Sequence, residues 1–187
     1  MPEARLEDNG SGLAPADDGW FVVNVRDAQW LTSEGGEKQP SGSECSFESG
    51  KAEFTELGVR LHVLPPGEPN GLYHREDKQE DFLVLAGECL LLIEGEERHL
   101  KAWDFVHCPA DTEHAFVGAG DGPCAIFMIG ARKGWPQDKG IFYPRSELAL
   151  RHGAGVEQGT SVPAEAYAPF PRWQPGPPDT WHGLPWA

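Results

Sequence analysis

Short apolar runs separated by turn residues dominate the middle of the chain. From residue 52 onward, AEFTELGVRLHVLPP, LYHRE, DFLVLAG, CLLLIEG, ERHLKAWD, DFVHCPA, EHAFVG and PCAIFMIGA follow one another at short intervals. Each is rich in β-branched or aromatic residues and is bounded by Gly, Pro or Asp. Such a pattern predicts regular short strands in an antiparallel sandwich or barrel. Glu94-Gly95-Glu96, between two of these runs, predicts a tight hairpin, because glycine adopts positive φ without a steric cost.

The flanks read differently. Residues 1–18 are polar, Gly-rich and acidic, and are expected to form a disordered leader. WFVVNVRDAQW (20–30) predicts a first strand and turn, and the Ser-, Gly- and Glu-rich stretch 33–50 a long loop. PRSELALRHG (144–153) fits one short helix, with Pro first, Ser146 near the cap and Gly153 at the end. VPAEAYAPFPRWQPGPPDTWHGLPWA (162–187) has too many prolines for regular structure. An aromatic-rich extended tail packs onto a surface, its own barrel's or a neighbouring subunit's; disorder is the competing reading. No internal repeat is visible. The expected organisation is a leader at 1–18, a barrel domain at 19–143, and a helix with a tail at 144–187.

Composition narrows the partners. Thirty acidic against fifteen basic residues in 187 give a net charge of -15. That argues against a nucleic-acid or anionic-membrane partner, since phosphate contacts need clustered Lys and Arg. No apolar run approaches the roughly 20 residues of a membrane helix. The Met1-Pro-Glu-Ala start lacks a basic-then-apolar signal, so a cytoplasmic location is expected. Cys45, Cys89, Cys108 and Cys124 are scattered without a CxxC pair and are expected to stay reduced. Cys89 and Cys124 lie in apolar patterns and read as small core residues.

The candidate chemistry lies in GLYHREDKQEDFLVLAGE (71–88) and DFVHCPADTEHAFVG (104–118). Alternate residues of a strand share a face. His74 pairs in this way with Glu76, and Glu80 with Phe82 and Val84. If both faces look into one barrel, His74, Glu76 and Glu80 converge near its mouth. His114, alternating with Phe116, adds a ligand from across the barrel. Two imidazoles and a carboxylate hold a divalent ion on one face and leave other positions open, suiting Fe, Mn, Ni or Zn.

These residues carry a family resemblance. His74-x-Glu76 followed by Glu80 and Gly87 resembles the first cupin motif, and Pro109 followed by His114 resembles the core of the second. The resemblance covers roughly residues 52–131. It implies an all-β fold, the cupin-type double-stranded β-helix or jelly-roll barrel. There are departures: Glu76 stands for the second His of the first motif, Trp103 and Asp111 stand where the second motif has Gly, and Gly118 stands for its final Asn. YHREDKQEDFLVLAGE is also locally similar to the corresponding stretch of 3-hydroxyanthranilate dioxygenases. That likeness implies His74, Glu80 and His114 as metal ligands, with Glu76 nearby. The cysteine-rich second metal site of some members is absent here. The resemblance to cupins also implies a homodimer, for which the strand expected at 20–26 and the aromatic tail would serve.

The expected function is a metal-dependent, dioxygenase-like enzyme acting on a small organic acid or carbonyl compound. Glu76 is then the catalytic proton acceptor when it is not a ligand. Arg60 and His62, alternating on an earlier strand, are expected to bind the substrate. A Zn- or Mn-dependent isomerase or lyase of a sugar or keto acid, and a non-catalytic binding barrel, remain open, since one barrel carries many chemistries. Either His107 or Cys108 must face the interior. Trp103, Phe105 and Phe116 are expected in the core, and His99, His152 and His182 at the surface.

Overall fold

A computed structural model describes residues 1–33, 39–132 and 140–178. Its strands are β1 (Leu6–Asp8), β2 (Leu13–Pro15), β3 (Gln29–Ser33), β4 (Gly42–Ser46) and β5 (Leu57–Leu64). There follow β6 (Arg75–Glu76), β7 (Glu80–Ala86), β8 (Glu88–Ile93), β9 (Glu96–Lys101) and β10 (Phe105–Cys108). The series closes with β11 (His114–Ala119), β12 (Cys124–Ala131), β13 (Ile141–Phe142) and β14 (Gln174–Pro175). Two short helices, α1 (Glu147–Arg151) and α2 (Pro163–Ala166), lie between the last two strands. Among the described residues no helix is long and apolar enough to cross a membrane.

A seven-stranded sheet in the order β10-β7-β12-β5-β4-β3-β14 faces a three-stranded sheet in the order β11-β8-β9. Alternation along the strands decides what lies between them. Leu64, Phe82, Val84, Leu91, Val106, Phe116 and Ile126 point inward and pack with Cys89, Cys108 and Cys124. Full burial of each large apolar side chain contributes about 1.5–3 kcal/mol, so this set is the barrel's main cohesive layer. Phe82 and Phe116 are tilted against each other with ring centroids 4.8 Å apart. The two-residue turn at Glu94 and Gly95 joins β8 to β9 with φ of 48° and 79°. Both residues are in the left-handed region that such a hairpin demands.

The outer faces are covered by the flanks. Trp30, Cys45, Leu61 and Val63 pack under Val23 and Val25 outside the larger sheet. Leu148 and Ala149 of α1 pack on Tyr73, Leu92, Ala115 and Val117 outside the smaller one. Ser146 caps α1, its side chain accepting from the Ala149 N–H, and Gly153 follows the helix at φ 72°.

Several sequence expectations are corrected here. Residues 1–18 are not a disordered leader: β1 and β2 form a hairpin with Leu6 opposite Pro15 and Asp8 opposite Leu13. Local polar pairing holds it, since Arg5 Nε donates to Asp17 at 2.9 Å and the Ala4 N–H donates to the Trp20 carbonyl at 2.9 Å. Gly12, at φ 124°, lets the hairpin approach Ala28, whose carbonyl oxygen would stand 2.2 Å from any Cβ there. The strand expected at 20–26 is displaced to Gln29–Ser33. Asn24 interrupts it: its side chain accepts from the Arg26 N–H at 2.9 Å and its carbonyl from the Asp27 N–H at 2.9 Å, forming a turn. The loop expected at 33–50 contains β4, which pairs with both β3 and β5. In the tail, α2 forms despite the prolines because Pro163 occupies its first turn. β14 pairs with β3, so this part of the tail packs on its own barrel. Residues 179–187 of the tail, including His182, lie outside the described residues.

Candidate metal centre

His74 and His114 are brought together by the backbone. Each donates its N–H to the other's carbonyl, at 3.1 and 2.8 Å, so the two residues are directly opposed across an antiparallel bridge. Their side chains share a face, with ring centroids 5.0 Å apart. Glu80 opens β7 beside them, opposite Gly130 of β12. Donor atoms of His74, Glu80 and His114 all lie within 4.8 Å of one another.

The imidazoles are oriented by backbone carbonyls. His74 Nδ1 is 2.7 Å from the Leu72 carbonyl, and His114 Nδ1 is 3.0 Å from the Thr112 carbonyl. A carbonyl only accepts, so each Nδ1 carries the proton and each Nε2 offers its lone pair. This fixes the tautomer that metal coordination requires. Burial keeps both rings neutral. It lowers the His74 imidazole from its ordinary value, and burial, then the closeness of the His74 ring, which disfavours a second positive charge, pushes His114 down to about 3. Glu80 moves the other way: burial, then the nearby Glu76 carboxylate, pushes it up to about 8. Neutral nitrogen donors beside a carboxyl group that lacks a counter-charge fit a divalent cation, which restores ionisation to Glu80.

The triad opens onto a cavity of about 370 Å³, whose lining includes Phe82 and Met128 as apolar wall. Glu76 lines it too but stands outside the triad; burial raises its carboxyl, with Lys78 opposing and Asp77 adding to the effect. The Glu76 carbonyl accepts from the Asp111 N–H at 2.6 Å, which ties the turn before His114 to β6. Asp111 and Trp103, standing where the motif has Gly, have φ of 67° and 76°. The backbone shape that glycine would supply is therefore kept without it.

Arg60 and His62 also line the cavity. Arg60 Nε donates to Glu44 at 2.8 Å and its Nη1 to Glu48 at 3.0 Å. His62 Nε2 lies 3.3 Å from Glu44, and its ring stands edge-on to Trp173 with centroids 6.5 Å apart. Glu48, only 7% exposed, also receives both Nη atoms of Arg132. The resulting chain of Glu44, Arg60, Glu48 and Arg132 links β4 and β5 to the end of β12.

On β10, Cys108 faces inward, and burial pushes its thiol up to about 12; His107 faces out and pairs with Asp81 at 2.7 Å. Phe116 is buried as expected, but Trp103 and Phe105 are not core residues: they are 75% and 64% exposed. Trp103 sits in the turn after β9, and Phe105 takes the outward position of an edge strand whose inward positions belong to Val106 and Cys108. His99 is exposed, and His152 is half-buried with Nε2 2.9 Å from Glu97. Sequence reasoning missed Glu44, Asn70, Arg132, Tyr167 and Trp173 in the lining. Tyr167 accepts the Leu72 N–H at 3.0 Å. The peptide flanking Leu72 on one side is thus held by Tyr167, while the Leu72 carbonyl holds His74.

Residues 60–130 match the family model of the cupin domain. The matched stretch lies within the barrel, which has the cupin-type double-stranded β-helix fold. A sugar phosphate isomerase of the cupin superfamily from Silicibacter pomeroyi DSS-3 is similar at 22% identity and TM-score 0.50, over 59% of this chain and 75% of that one. The polyketide cyclase RemF from Streptomyces resistomycificus is similar at 12% identity and TM-score 0.51, over 59% and 78%. A protein from Acidithiobacillus ferrooxidans ATCC 23270, named as a candidate sugar phosphate isomerase, shares 26% identity at TM-score 0.40. The match spans 41% of this chain and about half, 51%, of that one. The first two likenesses concern the barrel fold. A comparison with curated proteins finds no match.

Proposed function

We propose that this protein is a metal-binding cupin that carries out dioxygenase-like chemistry on a small organic acid or carbonyl compound. The observation that carries this reading is the convergence of two Nδ1-anchored imidazoles and the Glu80 carboxyl on one side of a walled cavity. Two histidines and one carboxylate with open positions are the donor set of non-heme Fe(II) oxygenases. When bound, an Fe(II) ion supplies coordination positions for a chelating substrate and for dioxygen. The chain's own residues do the rest. Phe82 and Met128 exclude water from one wall, and Glu76 accepts a proton from the substrate at its carboxylate.

A second reading is favoured by the other acid–base groups of the cavity. Glu76 and the Glu44–His62 pair line the same space, which suits proton transfer next to a polarised carbonyl, as in an isomerase or lyase using Zn or Mn. The discriminating experiment starts from elemental analysis of purified wild type beside His114→Ala. Near-stoichiometric metal in wild type and its loss in the variant is the expected result. No metal in either, after anaerobic Fe(II) loading, rejects the metalloprotein reading. Oxygen uptake by the Fe(II) form with candidate substrates supports the dioxygenase; turnover of carbonyl substrates without oxygen by the Zn or Mn form supports the second reading.

A further inference from the structure

The cavity is charged on paper but spends its positive charge on itself. Among the described residues, Arg60 and Arg132 are the only Arg or Lys side chains that line it. Arg60 directs Nε to Glu44 and Nη1 to Glu48 and to the Val59 carbonyl. Arg132 directs Nη1 and Nη2 to the two oxygens of Glu48, and Nη1 also to the Phe54 carbonyl. Gly58 makes this possible: a Cβ there would lie 2.9 Å from Arg132 Nε. Two guanidinium groups thus face two carboxylates, Glu44 and Glu48, before any ligand arrives. The further carboxyl groups on the wall are Glu76 and the triad's own Glu80. A carboxylate or phosphate entering here, away from the metal, would have to break a buried ion pair or sit beside the Glu76 carboxyl, and both are costly.

Other groups on the wall suit an uncharged guest. Tyr167 uses its oxygen to accept the Leu72 N–H, which leaves its O–H to donate. Asn70 uses Oδ1 to accept the Phe116 N–H at 3.0 Å, which leaves its amide NH2 to donate. Trp173 presents an aromatic ring, held edge-on to His62. Tyr167 and Trp173 both come from the segment after the barrel, which α2 and the β14–β3 pairing bring back over it.

We infer that the cavity selects an uncharged hydroxyl- or carbonyl-bearing molecule. Asn70, Tyr167 and Trp173 hold the part of it that is not on the metal. The inference rests on the metal-binding reading above and narrows its substrate class from an organic acid or carbonyl compound to neutral polar compounds. It also reassigns Arg60 from substrate binding to closing a charge-neutral wall.

The test uses the full chain loaded with Zn2+, which binds chelators without redox turnover. Kojic acid and comenic acid share one hydroxypyranone chelating group and differ in bearing a hydroxymethyl or a carboxylate. Each is titrated calorimetrically into the zinc protein and corrected for its affinity for free Zn2+. Kojic acid is expected to bind at least about tenfold more tightly, since like charges across a contact are strongly disfavoured. Trp173→Ala is expected to weaken kojic acid about tenfold, typical of losing a buried aromatic contact, with zinc content unchanged. Comenic acid binding as tightly as kojic acid overturns the inference. So does a zinc protein that binds neither, or a Trp173→Ala protein that binds kojic acid normally. Failure to take up zinc is a different result: it removes the metal-binding reading itself.

Discussion

Replacing Glu80 with Gln should flatten the pH dependence of stability of the metal-stripped protein. Burial, reinforced by the Glu76 carboxylate, raises the Glu80 carboxyl from 4.5 to about 8. Between those values the folded protein keeps a proton that the unfolded chain releases. Because the folded-state value is the higher one, the stabilisation is complete below 4.5 and is lost as pH rises toward about 8. One proton gives a slope of about 1.4 kcal/mol per pH unit, so the whole interval amounts to about 5 kcal/mol. The Glu80 side chain is only 16% exposed, so solvent screens little of this. The imidazoles of His74 and His114, lowered from 6.5, contribute with the opposite sign below that pH. Comparing wild type with Glu80→Gln removes their common part. The assay is urea unfolding of chelator-treated protein at several values between about pH 5.5 and 7.5. The stability difference in favour of the variant should grow by about 1.4 kcal/mol for each pH unit. Adding Zn2+ to wild type should abolish its share of the slope, because ionised Glu80 then has a counter-charge. Parallel curves for the two stripped proteins would refute the claim that burial holds Glu80 protonated.

Three further outcomes are expected. Glu48→Gln leaves Arg60 and Arg132 without their shared buried carboxylate and should cost about 3–5 kcal/mol in urea unfolding. Trp103→Gly relieves a left-handed backbone at an exposed position and should raise stability by about 1 kcal/mol, read by the same method. Tyr167→Phe deprives the Leu72 N–H of its acceptor and should cost about 1–3 kcal/mol. Zinc titration of that variant should also show weaker binding, through a looser His74.

The barrel strands were legible because each alternates and ends at a turn residue, and the triad because its residues fall at motif spacing. Glu44 was not legible: its polar neighbours read as loop, and only the β4–β5 register places it opposite His62. Arg132 stands just beyond β12, where strand alternation no longer assigns a face. Nothing periodic marks Tyr167 or Trp173, since their place depends on a chain reversal rather than a local pattern. Aromatic character suggests burial for Trp103 and Phe105, but the turn and the edge strand leave them in solvent. The leader misled because composition suggested no core, yet the hairpin needs little: small residues, Gly12 and local polar pairs suffice.

The hydrogen bond between Tyr167 and Leu72 joins residues 95 positions apart. On the ribosome, the clamp behind His74 cannot close until that whole stretch has been made, which takes on the order of 5–20 s. A nascent or prematurely terminated barrel would hold both histidines yet grip its ion less firmly than the finished protein. Firm retention of an ion at the candidate site would then wait on the C-terminal segment, which supplies the cavity's last wall.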